Sequence, residues 1–301
     1  SLIQQGYSVH GMSATASEDP TEMRGLGFML GLHSLNKPAN KLHSWYSWML
    51  RNGCDQNEWG KWELTEPDYL PFLKEEMYGK NVKKLTIADF PDSFKKNRVI
   101  MDPLAFSNGK QIRAAYEEAE VTPEIIRHFI EHGTVEDSEH VLTKILRARQ
   151  LAEAFKIPDL VEMAEDLTLE GKSVVIFVNF SDSVQTLCQN LNCDRIQGGQ
   201  SVEERQEAID RFQNDEKHIL VANIAAGGTG ISLHDIKGKR QRVSIICPSF
   251  SAKNHLQTLG RIHRNGAKSD AIQKVVIAHD SIEEVVMDSI TNKIKNLNTL
   301  H

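Results

Sequence analysis

The segment SVVIFV at residues 173–178 is the stretch that decides the fold class of this chain. It is apolar apart from one serine, which predicts a β-strand buried on both faces. A helix is predicted directly after it at 181–191, with Ser181 or Asp182 as its N-cap. Further strands are predicted at 195–197, 218–222, 243–247 and 275–277, and further helices at 202–212, 254–262 and 281–297. Because strands and helices of this length alternate, we expect an α/β fold with a parallel sheet that helices cover on both faces.

The sequence before this strand has a different character. Apolar residues at helical spacing predict a helix from Pro20 to about His33. The acidic stretch Glu117 to Glu139 holds eight carboxylates and one basic residue, Arg127, and is predicted as a solvated helix pair. Residues 145–169 are predicted as two helices broken near Ile157-Pro158, since proline removes a helical hydrogen bond. The N-terminal segment is therefore expected to be mostly helical.

Length and composition set the class of protein. At about 150 residues per domain, 301 residues predict two domains or one domain with a large insertion. Hydrophobic residues make up 40% and charged residues 25%, which excludes a disordered tail and a collagen-like fibre. The net charge of −6, taken alone, argues weakly against a nucleic-acid partner. Neither a signal peptide nor an apolar run of about 20 residues is present in the sequence.

The four cysteines are Cys54, Cys188, Cys193 and Cys247, and no two of them form a CxxC pair. Cys188 and Cys193 have no second pair and no His cluster that would complete a zinc site. We therefore expect reduced, mostly buried thiols, no metal site and a cytoplasmic protein.

All four tryptophans fall between Trp45 and Trp62. One interpretation is the local core of a small helical or hairpin subdomain, and this is the one we favour. The other is a surface on which nucleic-acid bases stack.

A glycine-rich segment, NIAAGGTGISL at residues 223–233, directly follows a predicted strand. Ligands gather at the carboxyl ends of strands in open α/β sheets, and its glycines allow a backbone to approach a phosphate closely. Thr229 can add a hydroxyl hydrogen bond. The segment is neither a GxGxxG fingerprint nor a Walker A loop, and a plain tight turn stays open as an alternative.

A second segment, QTLGRIHRNG at residues 257–266, carries two arginines three residues apart, Arg261 and Arg264. On a helix they would share one face and, with Gln257, could hold a polyphosphate from one side. Guanidinium groups placed in this way neutralise the charge that develops on a transferred phosphoryl group. The alternative is a basic helix that makes surface ion pairs.

The distribution of charged residues along the chain supports a phosphate-rich partner more than the net charge does. No acidic residue occurs between Asp235 and Asp270, and the interval carries eight Lys or Arg residues. A basic block of this kind is the footprint of phosphate or nucleic acid, although part of it could be a solvated hairpin around Gly238.

From about Ile145 to Leu297 the chain resembles the second RecA-like lobe of superfamily-two helicases, most closely the Swi/Snf-type ATPases. The segments that carry the resemblance are, in order, SAT at 13–15 (motif III), SVVIFVNF at 173–180 (motif IV), QGGQ at 197–200, AGGTGISL at 226–233 (motif V), QTLGRIHRNG at 257–266 (motif VI) and IEE at 282–284. Ser232, Ala267 and the SAT triplet depart from the usual Swi/Snf pattern.

The resemblance implies roles for individual residues. Arg264, with Arg261 beside it and Gln257 in support, would reach the γ-phosphate of ATP across a cleft between two lobes. The loop that contacts nucleic acid and relays to ATP would consist of Gly227, Gly228, Thr229 and Gly230. Further contacts to the nucleic-acid backbone are expected from Asn179, Gly198, Gly199 and Lys253, and coupling between the lobes from Ser13 and Thr15.

The nucleotide-binding half of such a site is absent from these 301 residues, because they contain neither GxxxxGK[ST] nor an Asp-Glu-x-His box. The chain also begins within a pattern, which indicates a piece of a longer protein. We expect the tail of a first lobe at 1–35, a helical insertion or linker at 36–140 and a second RecA-like lobe at 141–301.

The expected function is the C-terminal part of an ATP-dependent helicase or translocase that uses ATP and Mg²⁺ and binds nucleic acid, with DNA favoured over RNA. By itself this chain would be inactive and would bind neither ATP nor Mg²⁺ firmly. The missing first lobe is the expected partner, and no membrane is. Two alternatives stay open: a degenerate lobe that acts as a non-catalytic binding module, and an RNA-directed helicase.

Overall fold

The computed structural model describes residues 20–35, 43–58, 60–78, 82, 87–90, 92–132, 138–227 and 230–300. The chain divides into two compact units, Ser1–Thr86 with Thr291–His301 and Ile87–Ile290. None of the helices in the described part is both long and apolar enough to cross a membrane.

The described part of the smaller unit contains three complete α-helices and one hairpin. The helices are α1 (Arg24–Met29), α2 (Trp45–Arg51) and α3 (Leu70–Tyr78), and the antiparallel strands are β1 (Cys54–Gln56) and β2 (Trp62–Leu64). Trp45 is 7% exposed and Trp48 is 1% exposed, with their rings stacked at 5.4 Å. These two tryptophans therefore form a local core, as the favoured interpretation predicts, and are not available for base stacking. Trp59 lies outside the described residues.

The larger unit is built on a six-stranded sheet in the order β3-β8-β7-β4-β6-β5, in which every neighbouring pair is parallel. Its strands are β3 (Asn97–Ile100), β4 (Ser173–Val178), β5 (Asp194–Ile196), β6 (Ile219–Asn223), β7 (Arg242–Ile246) and β8 (Ala271–Val275). All six residues of β4 are buried, because it lies between β6 and β7. The predicted α/β class with a RecA-like parallel sheet and helices before it is confirmed.

Among the described residues, three α-helices lie between β3 and β4, and one follows each later strand. They are α4 (Gly109–Glu118), α5 (Pro123–His132), α6 (Ser138–Leu169), α7 (Ser181–Leu191), α8 (Val202–Gln213), α9 (Ile224–Gly227), α10 (Ala252–Leu259) and α11 (Ile282–Leu300). The last strand lies at Ala271–Val275 and not at 275–277 as predicted, and α10 ends earlier than predicted.

The predicted break near Pro158 is wrong, because α6 runs through that proline as one helix. The side chains on either side of it are held by the core: Lys156, Leu160 and Ala164 are at most 1% exposed. Lys156 also makes a buried ion pair with Glu283 and donates to the carbonyl of Val276. This packing offsets the cost of the missing hydrogen bond, about 3 kcal/mol for proline inside a helix.

The sheet also recruits a strand that the sequence did not suggest. Strand β3 comes from the region predicted as a helical insertion, and it pairs with β8 at the edge of the sheet. Three of its four residues are exposed, so it lacks the apolar run that marks a buried strand. As a result the compact unit begins at Ile87, well before residue 141.

Candidate functional site

The carboxyl ends of four neighbouring strands bring the predicted nucleic-acid groups to one edge of the sheet. In the order β7-β4-β6-β5, these ends are followed by Lys253 in the first turn of α10, by Asn179, by helix α9 and by Gly198–Gly199. We call these four segments the carboxyl edge. Because the strands are parallel, residues far apart in the sequence lie side by side here. Gly228 and Thr229, like Ser13 and Thr15, lie outside the described residues.

Asn179 organises this edge from inside. Its Nδ2 donates to Glu153 Oε2 (2.7 Å) and to the carbonyl of Pro248 (3.0 Å). Its Oδ1 accepts from Arg149 Nη2 (3.3 Å). Both N–H groups and the oxygen of the amide are therefore used within the protein, so this side chain shapes the loop in place of reaching outward.

Asn223 performs the same task at the end of β6. Its Nδ2 donates to the carbonyl of Asn179 (2.8 Å), and its Oδ1 accepts from the backbone N–H groups of Ala225 (3.0 Å) and Ala226 (3.3 Å). The short helix α9 is thus capped by a side chain that also holds β4. After it, Gly230 has a φ of +73°, a conformation that favours glycine, and its α-carbon faces open space.

The Gly198–Gly199 turn is exposed and shaped by one glutamine. Gln200 Oε1 accepts from the backbone N–H of Gln197 (2.8 Å), and its Nε2 donates to the carbonyl of Arg195 (3.1 Å). Gly199 has a φ of +83°, and no atom lies within 4 Å of the place a Cβ would occupy at either glycine. The turn therefore leaves room for another backbone to approach.

The two arginines of residues 257–266 converge on one carbonyl oxygen. Arg261 Nη1 and Arg264 Nη2 both donate to the carbonyl of Ile231, at 3.3 and 3.1 Å, and Arg264 Nε donates to that of Gly260 at 3.1 Å. They do not share a helix face as predicted, because α10 ends at Leu259 with Gly260 as its C-cap. The positions are brought together by the glycine-rich loop instead.

The environments of these two arginines differ. Arg261 is 6% exposed, and its burial, with the nearby charge of Arg264, lowers the pKa of its guanidinium. Arg264 is only partly buried. Gln257 and Lys253, both on α10, are also partly buried. Two like charges held on a single neutral oxygen form a spot of positive potential that favours an anion.

The basic interval between Asp235 and Asp270 does not form one surface, so only part of it can be the footprint of phosphate or nucleic acid. Arg242, fully buried at the start of β7, pairs with Asp215 at 2.7 Å. Arg240 Nη2 donates to the carbonyls of Thr168 (3.0 Å) and Lys172 (2.8 Å). Because residues 237–242 lead into β7, they lie at the opposite, amino edge of the sheet.

Sequence reasoning missed Glu153 and Arg149 on α6, whose side chains hold Asn179. It also missed residues 93–95, which contact the arginine segment: His263 Nε2 lies 2.8 Å from the carbonyl of Lys95, and Gly266 N–H donates to that of Ser93 at 3.3 Å. No local sequence pattern indicates either set of residues, because each contacts residues that are distant in the sequence.

Comparison with known proteins agrees with this geometry. Residues 156–266 match the helicase conserved C-terminal domain. The chain is 32% identical over 308 residues to "Putative ATP-dependent RNA helicase L364" of Acanthamoeba polyphaga mimivirus, covering 100% of this chain and 56% of that protein. It is 30% identical over 157 residues to "Chromatin remodeling factor mit1" of Schizosaccharomyces pombe, covering 50% of this chain and 11% of that protein.

The chain thus spans about half of the first of these relatives and a small part of the second. A solved structure, "Crystal structure of the C-terminal part of Fun30 ATPase domain", aligns with a TM-score of 0.38 at 18% identity, over 78% of this chain and 90% of that one. This structural similarity is too weak to support a conclusion. The helicase C-terminal fold is supported by the parallel sheet and by the match of residues 156–266 to the helicase conserved C-terminal domain.

Proposed function

We propose, from the match of residues 156–266 to the helicase conserved C-terminal domain and from the two relatives, that this chain is the C-terminal lobe of a superfamily-two, Swi/Snf-type ATP-dependent helicase or translocase. In that role it supplies the arginine finger and part of the nucleic-acid grip. The observation that carries the proposal is the convergence of Arg261 and Arg264 on the carbonyl of Ile231. Ile231 directly follows Gly230, the last residue of the loop expected to contact nucleic acid. One small region thus joins the expected ATP contact to the expected nucleic-acid contact.

Arg264 is the better candidate for the finger. It is the less buried of the two arginines, and it can exchange its bond to Ile231 for one to an oxygen of the γ-phosphate. A charged phosphate is a stronger acceptor than a neutral carbonyl. Arg261 would stay in place and add its charge, and Gln257 would support both from the last turns of α10.

ATP and Mg²⁺ would be held mainly by a first RecA-like lobe, since the Walker A and Asp-Glu-x-His sequences are absent from these 301 residues. That lobe is the partner across the cleft. We propose that this chain alone binds neither firmly and hydrolyses ATP at the background rate. A cytoplasmic location stays a prediction.

Nucleic acid would be gripped along its backbone by the carboxyl edge, through main-chain N–H groups and Lys253. Such contacts carry no base code, so little sequence preference and a strong salt dependence are expected. We favour DNA over RNA, as for the relative named a chromatin remodeling factor. The relative named an RNA helicase supports the RNA alternative. Stimulation of the ATPase by duplex DNA, single-stranded DNA and RNA, measured side by side, distinguishes them.

The decisive test is Arg264→Ala in a protein that joins this chain to its first lobe. The ATPase rate should fall on the order of 10³-fold, because the charge that stabilises the transition state is lost. Nucleic-acid binding should change little. Arg240→Ala is the matched control, because that arginine donates to carbonyls at the amino edge and should leave turnover unchanged. Turnover that survives Arg264→Ala would show that the finger is assigned to the wrong residue.

A non-catalytic binding module is the second candidate. It is favoured by the fact that both arginines already have a protein acceptor in this structure. It predicts that the joined protein binds nucleic acid but shows no nucleic-acid-stimulated hydrolysis, with or without Arg264. Conversely, rapid hydrolysis by the 301-residue chain alone that Arg264→Ala abolishes would contradict the need for a first lobe.

A further inference from the structure

Glu153 is a buried carboxylate that caps a helix from a distance. It lies on α6, three residues before the matched domain begins at Lys156, and it is 3% exposed. Its Oε2 accepts from the backbone N–H and the Nδ2 of Asn179 (2.8 and 2.7 Å), and its Oε1 accepts from the N–H of Phe180 (3.0 Å). Phe180 is the N-cap of α7 and has no capping side chain of its own. The negative charge therefore lies where the positive end of α7 favours it.

Arg149 holds the same loop from the preceding turn of α6. It donates to Asn179 Oδ1, and its guanidinium carbon lies 3.9 Å from the ring centre of Phe250, which follows β7. Burial lowers the pKa of this guanidinium. Its cation–π contact and its hydrogen bond thus join α6 to the ends of two different strands.

From Asn179 the bonding continues across the carboxyl edge. The carbonyl of Asn179 accepts from Asn223, which caps α9, and Asn179 Nδ2 donates to Pro248, which precedes α10 and Lys253. Three of the four segments of the edge are therefore set by one network that starts on α6. No member of this network on α6 belongs to the predicted site.

We propose that Glu153 and Arg149 are positioning residues for the nucleic-acid backbone. They touch no phosphate themselves; they fix the loops whose N–H groups and lysine do. This inference rests on the proposed function of the carboxyl edge. It adds a contribution from α6, outside the motifs of residues 173–266, on which backbone binding depends.

The test measures how tightly the 301-residue chain binds a fluorescent DNA duplex, over a series of salt concentrations. Glu153→Gln keeps the shape but removes the charge, and should weaken binding about tenfold because the network loses a charge-assisted acceptor. The slope of log affinity against log salt should stay unchanged, because no phosphate contact is lost. Arg149→Lys, which keeps the charge but loses the planar stacking, should weaken binding about threefold.

Asp215→Asn is the matched control. It also neutralises a carboxylate of low exposure, but one at the amino edge, where its partner is Arg242. It should lower the melting temperature as Glu153→Gln does and leave duplex affinity unchanged. Equal affinity for Glu153→Gln and the unchanged chain would overturn the positioning role. If the unchanged chain binds neither duplex nor single strands, the proposed function itself is wrong and this inference falls with it.

A separate observation concerns two thiols. Cys188 near the end of α7 and Cys193 before β5 have their sulfur atoms 3.6 Å apart, with Cys193 donating to Cys188. Both are partly exposed, whereas Cys54 and Cys247 are buried. The hydrogen bond from Cys193 lowers the pKa of the Cys188 thiol, which favours the nucleophilic thiolate.

We infer that Cys188 and Cys193 are an oxidation site that forms a reversible disulfide with a disulfide oxidant such as oxidised glutathione. The Cys188 thiolate attacks one sulfur of glutathione disulfide and releases one glutathione thiolate. The Cys193 thiolate then attacks Cys188 in the mixed disulfide and releases the second. The two protein protons pass to the released thiolates, so two glutathione molecules and one protein disulfide result.

The folded chain is treated with oxidised glutathione, then unfolded, alkylated and mapped by mass spectrometry. One disulfide between Cys188 and Cys193 is expected, with Cys54 and Cys247 recovered as alkylated thiols. Cys193→Ser should instead leave Cys188 joined to glutathione, because the resolving thiol is gone. Four alkylated thiols in the treated wild-type chain would overturn the inference, and dithiothreitol should restore all four if it holds.

Discussion

The two edges of the sheet differ in the kind of polar residue that they bond internally. At the carboxyl edge, the uncharged amides of Asn179 and Asn223 are bonded internally and hold the loop after β4 and the start of α9 in place. At the amino edge, Arg240 and Arg242 are tied to carbonyls and to Asp215. The carboxyl edge is the one that we propose meets nucleic acid, although Arg240 and Arg242 of the basic interval lie at the other edge.

A cluster of basic residues in a sequence therefore need not form a basic surface. Near the start of β7, the guanidinium of Arg240 donates to the carbonyls of Thr168 and Lys172. These bonds occupy the group, so it is not offered to a ligand. At the other end, the strands lead into helix N-termini where Glu153, Asn223 and Ser251 accept from the first N–H groups. The exposed turn at Gly198–Gly199 leaves room there for the backbone of a ligand. The bonds at the amino edge contribute to stability, and the carboxyl edge is where we propose that nucleic acid binds.

Arg242→Ala is the variant for which we expect the largest effect, and it tests whether the amino edge contributes to stability. It leaves the carboxylate of Asp215, 9% exposed, without its buried partner, and should cost about 3–5 kcal/mol of unfolding free energy. Guanidinium unfolding measures the loss. Arg240→Ala, which removes hydrogen bonds to carbonyls only, should cost about 1–2 kcal/mol. If the folded fraction of either variant binds duplex DNA less tightly, the two edges are not separate in function.

Lowering the pH should destabilise the protein through one buried histidine on α10. His255 on α10 is 1% exposed, and burial lowers its pKa from 6.5 to about 4. Below pH 6.5 the unfolded chain takes up a proton that the folded chain refuses, so stability falls as pH drops from 6.5 towards 4. The loss from this residue is on the order of 3 kcal/mol.

Urea unfolding at a series of pH values measures this slope, and His255→Gln should flatten it. Some slope should remain, because burial also lowers the pKa values of His218 and His234. An unchanged slope in the variant would mean that folding does not lower the pKa of His255.

The smallest effect compares one lysine at each edge. Lys253→Ala at the carboxyl edge should reduce the salt slope of duplex binding by about 0.9, the value for one phosphate contact. Lys237→Ala should leave it unchanged, because Lys237 lies at the amino edge and donates to the carbonyl of Asn214. Equal slopes for both variants would contradict the placement of nucleic acid on the carboxyl edge.

Much of the larger unit could be predicted from local patterns. The apolar run of 173–178 is a strand because both of its faces are covered, so every residue had to be hydrophobic or small. Helix α8 begins at Ser201 with a capping box to Glu204, a signal contained within four residues. Such elements can be predicted because the residues that determine them lie close together in the sequence.

Other elements were hidden because their causes lie far away. Strand β3 needs only one neighbour and exposes most of its residues, so no apolar run marks it. The cap of α7 was expected at Ser181 or Asp182 but comes from Glu153, on another helix. The continuity of α6 through Pro158 depends on what Lys156 and Leu160 pack against.

By itself, the sequence determined the fold class, the order of the motifs and the absence of a Walker A loop, since these depend on periodicity and on residue types at fixed spacing. Only the tertiary structure decided which charges remain available. It placed Arg261 and Arg264 on the carbonyl of Ile231 and buried Arg242 against Asp215. The physical reason is that hydrogen-bond partners in a parallel sheet are chosen by neighbouring strands, and neighbours in the sheet are distant in the sequence.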